Sequence, residues 1–312
     1  MPSYRFTHLS DLHCTDVKGL KPWQFLNKRA IGYMNWRYKR KNCHRPEVLS
    51  SIIEHMHRLN PDHILCTGDL TNLGTYQEQL QAVEWLHQLG RPDNVSLVMG
   101  NHDAYVMGNA KAGHMLWRKW MQGDVKQENH DDVFPYIHNI PLDEKHQIIL
   151  LKVNTAVATL PFSARGRVGD VQRARLKALL QHYAAPHYFK LIMLHHPPLT
   201  GITSPHRSLQ DGDDLKDIIE NNPPHLIIHG HNHKHQITML NTAQHAVPIV
   251  GVRSASICHN HPRYEAAGFN RYEITLSPQT QWHLKADFLT YTPSDNELTS
   301  FHEQEIWSFP LV

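Results

Sequence analysis

Apolar and polar residues alternate over 4–9 (Tyr-Arg-Phe-Thr-His-Leu), which predicts a strand ending at Ser10-Asp11-Leu12-His13. Apolar positions then recur at helical spacing over 46–59 (Val48, Leu49, Ile52, Ile53, Met56, Leu59), and Pro61 follows the end of that helix. The run 63–66 reads as a short buried strand closing at Thr67-Gly68-Asp69. A helix over about 75–89 puts Leu80, Val83, Leu86 and Leu89 on one face and stops at Gly90. Strand 95–98 leads into Met99-Gly100-Asn101-His102-Asp103. This βαβ rhythm implies a parallel sheet with right-handed crossovers.

From 104 to 132 the chain is polar and partly helical, around Leu116 to Met121. Strands are expected near 134–140 and 146–153, a loop over 155–168, and a helix over 170–183 with Asp170 as its cap. Strand 188–194 precedes His195-His196-Pro197-Pro198. A helix over 211–221 starts at Asp211, which could cap it, and strand 225–229 ends at Gly230-His231-Asn232-His233. Strands alone follow, near 235–240, 246–252, 269–276 and 281–289, before a polar tail. Without a repeat or low-complexity linker, one domain over 1–312 containing two sheets is the simplest organisation. The late strands 235–289 are expected to build much of the second sheet, with Val252-Arg253-Ser254-Ala255-Ser256 lining that sheet.

One stretch breaks the pattern. Residues 17–46 contain no Asp or Glu and nine Lys or Arg, interleaved with Trp23, Phe25, Tyr33, Trp36 and Tyr38. Its core, 22–40, reads as largely helical, with Pro22 near the first turn. Such a segment is either a solvated helix or a cap-like insertion that attracts an anionic substrate or rests on a membrane surface.

Composition narrows the class. A hydrophobic fraction of 40% supports a folded core, and a net charge of +2 does not point to nucleic acid. The four cysteines form no C-x-x-C pair, which argues against a zinc knuckle or redox motif. No signal peptide is visible, and no run reaches the roughly 18 apolar residues of a membrane span. A soluble, cytoplasmic enzyme is the expectation. The 27 histidines stand out, but only their positions can give them meaning.

Five segments share one structural place, just past the end of a predicted strand: Asp11-Leu12-His13, Gly68-Asp69, Gly100-Asn101-His102-Asp103, His195, and Gly230-His231-Asn232-His233. Ligands bind at that edge of open α/β sheets. Singly, each segment reads as turn and cap residues. Together they offer carboxylates, an amide and imidazoles without a thiolate, a donor set that suits Mn, Fe, Zn or Co.

The order D-x-H, G-D, G-N-H-D, H, G-H-x-H resembles the calcineurin-like metallophosphoesterase superfamily over residues 11–233. The resemblance implies an α/β fold, a four-layer αββα sandwich of two mixed β-sheets flanked by helices, with the metal site at the strand C-terminal ends. It also implies two divalent or trivalent metal ions, Mn or Fe foremost, with Zn or Co as alternatives. Asp11, His13 and His233 would hold one metal, Asn101, His195 and His231 the other, and Asp69 would bridge them. A metal-bridging hydroxide would attack phosphorus, His102 would protonate the leaving oxygen, and Asp103 would orient His102. His196 would support its neighbour.

Departures from the pattern narrow the branch. Leu70-Thr71-Asn72 follows Gly68-Asp69 where protein phosphatases carry x-V-D-R-G, and Asp103 replaces their Glu. Asn72 stands where purple acid phosphatases place a Tyr ligand. His102 stands where the lipid-A branch usually has Arg, and the long extra domains of the repair nucleases are absent. The chain is most similar to the bacterial branch related to cyclic-nucleotide phosphodiesterases, although Met99 replaces a common Pro. The implied activity is hydrolysis of a small anionic phosphoester, as a phosphodiesterase or phosphatase. The alternatives are a peripheral membrane hydrolase of a lipid-linked pyrophosphate similar to UDP-diacylglucosamine, and a non-catalytic scaffold like one retromer subunit of this fold.

Overall fold

The computed structural model describes residues 2–17, 20–122, 134–258, 264–277, 281–292 and 297–310. Strands β1 (Ser3–Leu9), β2 (His63–Cys66) and β3 (Val95–Leu97) pair in parallel, joined through α2 (Pro46–Arg58) and α3 (Tyr76–Leu89). Before them in the chain, α1 covers Arg29–Asn35, and α4 (Asn109–Met121) follows β3. A second sheet contains β4 (Tyr136–Pro141), β5 (Gln147–Lys152), β6 (Tyr188–Met193), β7 (Leu226–His229), β8 (Gln236–Asn241) and β9 (Ala246–Gly251). Helices α5 (Asp170–His182) and α6 (Gly212–Asn221) supply its crossovers.

Strand alternation explains the layers. Ile148, Leu150, Leu191, Met193, Leu226 and Ile228 point into the core between the sheets. Their neighbours Ile149, Leu151, Ile192 and Ile227 point the other way, against Leu176 and Leu180 of α5 and Leu215 and Ile219 of α6. On the far side, α2 and α3 pack Leu49, Ile52, Leu86 and Leu89 against the first sheet, where Ile64 faces them while Phe6 and Leu65 face the second sheet. The result is the expected αββα sandwich of two mixed six-stranded sheets.

Several expectations are corrected. Only β8 and β9 of the late strands join the second sheet. Strands β10 (Gly268–Leu276) and β11 (Gln281–Thr292) return to the first, where β10 pairs antiparallel with β1. The polar tail contains β12 (Glu297–Pro310), which extends that sheet beyond β11. Its polar composition fits an edge strand, in which Phe309 is buried while Ile306 is exposed. Residues 123–132 lie outside the described set.

Asp170 is the first residue of α5, and Gly169 precedes it as the cap. Asp211 does precede α6, but its carboxylate caps nothing there. It instead accepts from the backbone N–H groups of Val168 (3.0 Å) and Gly169 (2.7 Å) and pairs with Arg173.

The basic segment is largely helical over 22–40, in three pieces. It runs as a 3₁₀ turn (Pro22–Phe25), α1, and a π-helical turn (Trp36–Arg40). Arg29 explains where it sits. Its buried guanidinium donates to the carbonyls of Leu73 (3.0 Å) and Gly74 (2.9 Å), just past Asp69. Gly32 permits the close approach, because a Cβ there would overlap the Tyr105 hydroxyl.

Candidate metal centre

All five strand-end segments meet at one edge of the sandwich. Asp11, His13, Asp69 and Asn101 follow strands of the first sheet, whereas His195, His231 and His233 follow strands of the second. The loops are tied by their own backbone: Asp11 N–H donates to Gly68 O (2.9 Å) and His13 N–H to Asp69 O (3.1 Å). A Cβ on Gly100 would overlap the Asp69 side chain, so that loop needs glycine. Among the described residues, seven non-glycine positions have positive φ, and five of them are nominated ligands: Asp11 (56°), His13 (46°), Asp69 (56°), His231 (69°) and His233 (54°). Left-handed backbone is costly for such residues and persists where surrounding contacts over-determine it, commonly at functional sites.

The imidazoles are oriented by carbonyls. His13 Nδ1–H donates to Thr71 O (2.8 Å), His195 Nδ1–H to Thr67 O (2.7 Å), and His231 Nε2–H to Arg207 O (2.9 Å). A carbonyl only accepts, so each bond fixes the tautomer and leaves the other ring nitrogen as a bare lone pair. Nε2 of His13 and of His195 lie 3.6 Å and 3.4 Å from Asp69 Oδ2. Nε2 of His195 is also 3.3 Å from Asn101 Oδ1, and Nε2 of His233 is 3.1 Å from Asp11 Oδ1.

A metal with bonds of about 2.0–2.2 Å holds its donors roughly 3–3.5 Å apart, which these spacings match. Asp11 Oδ1 is buried and has no hydrogen-bond donor among the described residues. Buried carboxylate oxygens facing imidazole lone pairs call for cations, and the group fits a dinuclear metal site. Asp11, His13 and His233 form one cluster; Asp11, Asp69 and His195 form an overlapping one.

The charges are consistent with that reading. Burial pushes Asp69 upward, but the facing His195 and His102 rings outweigh it and hold its carboxyl well below the usual range. Burial opposes protonation of His195, yet Asp69 and Asp11 beside it raise its pKa to about 9, so a proton competes with a cation for its Nε2. Burial and the neighbouring Arg40 lower His102 to about 4.

His102 sits at the open side of the cluster. Its backbone N–H donates to Asp69 Oδ1 (2.7 Å), and its ring Nδ1–H donates to Asn72 O (2.5 Å). The orienting group is therefore the Asn72 carbonyl, which corrects the expectation for Asp103. The Asp103 carboxylate instead accepts from the N–H groups of Asp69 (2.9 Å), Thr71 (3.0 Å) and Gly100 (2.9 Å), and from the Thr71 hydroxyl (3.1 Å). It holds two ligand loops together. Burial and the Asp69 charge raise its pKa to about 7.

His196 clusters with His195 and His231, but both its ring nitrogens are engaged elsewhere: Nδ1 meets Thr155 Oγ1 (2.8 Å) and Nε2 meets Ala164 O (3.2 Å).

Three neighbours went unnominated as site residues. Arg40, from the π-helical turn, donates to Nε2 of both His13 and His102 at 3.0 Å. His44 is buried with its ring 4.7 Å from that of His13, and Ser254 Oγ donates to Asp11 O (2.7 Å). Segment 252–256 thus braces the first ligand loop, in addition to following β9. Only the adjacency of the basic run to the first motif hinted at Arg40 and His44.

A family model described as calcineurin-like phosphoesterase matches residues 4–235. Among solved structures, a dimetal phosphatase from Danio rerio superposes with a TM-score of 0.54 at 12% identity, covering 94% of this chain and 100% of that one. A purple acid phosphatase from yellow lupin (Lupinus luteus) superposes with a TM-score of 0.59 at 12% identity. It covers 98% of this chain, which spans 53% of the lupin chain. At such identities these likenesses concern the fold. No curated protein sequence matches the chain.

Proposed function

This chain belongs to the calcineurin-like phosphoesterase family, and from that membership we propose that it is a hydrolase cleaving phosphoesters at a two-metal centre. Asp11, His13 and His233 would hold one ion and Asn101, His195 and His231 the other, with Asp69 available to both. Asp103 acts with His102 as the loop clamp beneath it. When bound, the ions supply Lewis acidity and lower the pKa of a coordinated water towards neutrality. The observation that carries the reading is the convergence of the carbonyl-oriented His13 and His195 rings on the buried Asp69 carboxylate, with His233 facing the buried Asp11.

The chain's own residues supply the rest. Asn72 O holds His102 Nδ1–H, so Nε2 is the basic nitrogen, and it must first take up a proton, which burial and Arg40 disfavour, before it can pass one to the leaving oxygen. As the water oxygen bonds to phosphorus and releases a proton to solvent, the ester P–O bond breaks and the Nε2 proton goes to the departing oxygen. Arg40 Nη1 occupies Nε2 in this structure, so the guanidinium must shift before the proton can be carried. A phosphoryl oxygen is the natural acceptor for it.

Gly68-Asp69-Leu70-Thr71, Gly100-Asn101-His102-Asp103, His195-His196-Pro197 and Gly230-His231-Asn232-His233 favour the branch similar to cyclic-nucleotide phosphodiesterases. Mn and Fe are the metals expected to support most turnover. No helix among the described residues is long and apolar enough to cross a membrane. Turnover of bis(p-nitrophenyl) phosphate or p-nitrophenyl phosphate with added Mn²⁺ tests the reading. No turnover of either with Mn, Fe, Co or Zn overturns it.

A further inference from the structure

A cavity of about 600 Å³ opens beside the metal cluster, and its position matters more than its size. Asn101 and His102 form its inner end, so it lies on the side to which His102 would deliver a proton. On the hydrolase reading above, on which this inference rests, that is the leaving-group side.

Its walls come from two separated stretches. Ile31, Met34 and Tyr38 come from the basic segment, and Phe162 comes from the loop before α5. Lys28 Nζ donates to Thr159 Oγ1 (3.1 Å) and ties the two stretches together. Four basic side chains line it, Lys28, Lys39, Arg40 and Arg207, with no carboxylate partner among the described residues. The rest of the wall is largely apolar and open to solvent: Met34 is 60% exposed, Tyr38 78% and Phe162 83%, beside the polar Asn35, Ser163 and His206. Phe162 has φ 64°, a conformation in which a bulky residue is strained. Holding a large ring there, facing water, gains the fold no buried contact.

We propose that this cavity receives a hydrocarbon-bearing leaving group, so that the substrate is an amphiphilic phosphoester rather than a small, fully polar one. Its phosphate lies between Arg40 and the metal cluster, and its hydrocarbon body lies between Met34 and Phe162. The cations match the phosphate and the apolar mouth matches the chain.

The probe is a series of non-hydrolysable alkylphosphonates, methyl to octyl, titrated by calorimetry below micelle-forming concentrations into the Mn²⁺-loaded protein. Affinity should rise at least tenfold from butyl to octyl, since each fully buried methylene is worth about a fourfold gain. Phe162→Asn, which suits the left-handed backbone, and Met34→Gln should each flatten that rise. Equal affinity across the series in a protein that turns over bis(p-nitrophenyl) phosphate overturns the inference and leaves the hydrolase reading standing. A chain-length gain in a protein inactive with every metal supports the cavity assignment and overturns the hydrolase reading. Nucleoside 5′-methylphosphonate binding more tightly than octylphosphonate also overturns the inference.

Discussion

Arg40 donates from Nη2 to Nε2 of His13 at 3.0 Å, using the lone pair that a metal at this centre would need. One lone pair cannot serve both. Burial and the Arg40 charge also hold His13 well below its usual pKa. Arg40→Ala should therefore tighten Mn²⁺ binding by about tenfold, the worth of a charge-assisted hydrogen bond. The same change should raise KM for bis(p-nitrophenyl) phosphate. Calorimetric metal titration beside steady-state kinetics checks both, and weaker metal binding in the variant would contradict the competition.

His102→Ala should retain both metals while turnover slows by about 10²–10⁴, the usual range for a lost general acid. Metal content by atomic absorption alongside kcat decides the matter. Loss of metal would mean that His102 is itself a ligand.

Asp69→Ala should lose both metals and all activity, because Asp69 Oδ2 faces His13 and His195 at once. Retention of one equivalent of metal would show that the two sites are held independently.

Asp103→Ala should act through stability. It strands three buried backbone N–H donors, at about 1–3 kcal/mol for each group left unpaired. A fall of at least about 3 kcal/mol in urea unfolding is expected. If stability were unchanged and only the pH–rate profile moved, Asp103 would be serving His102 after all.

Much of this was legible in the sequence because strand ends are local features. Short apolar runs announce them, and the polar residues next in line have little choice about where they emerge. The seven nominated ligands meet for that reason. Asp103 shows the limit: adjacency to His102 suggested a partnership, but the tight turn at Gly100 sends its carboxylate beneath the loop. Arg40 shows another limit. It is one of nine like-charged residues in its segment, and only the buried Arg29, latched to Leu73 and Gly74, determines which of them reaches the site. Strand β12 was hidden because an edge strand with an exposed face need not look apolar.

Buried neutral histidines make the fold acid-sensitive away from the metal centre. His63, in the core against Ser96 Oγ (2.9 Å), is lowered by burial and then by His138 to about 3. Between its unfolded value of about 6.5 and that folded value, the unfolded chain binds the extra proton, so stability falls as pH falls. At pH 5 the loss from this residue is about 2 kcal/mol. Unfolding midpoints should drop from pH 7 to pH 5, and His63→Gln should drop less steeply. Parallel slopes would exclude His63 as a source of the acid sensitivity.

Asp11 Oδ2 accepts the backbone N–H of His231 across 220 positions of chain, at a point where Gly230 lets the two loops touch. Asp11 hangs from the first sheet and His231 from the second. Any ion that engages donors from both sides becomes a rivet through the sandwich, fastening its halves along one seam. Stripping the metals should then do more than silence chemistry. It should let the halves breathe, with amide exchange quickening first where β1 and β7 end.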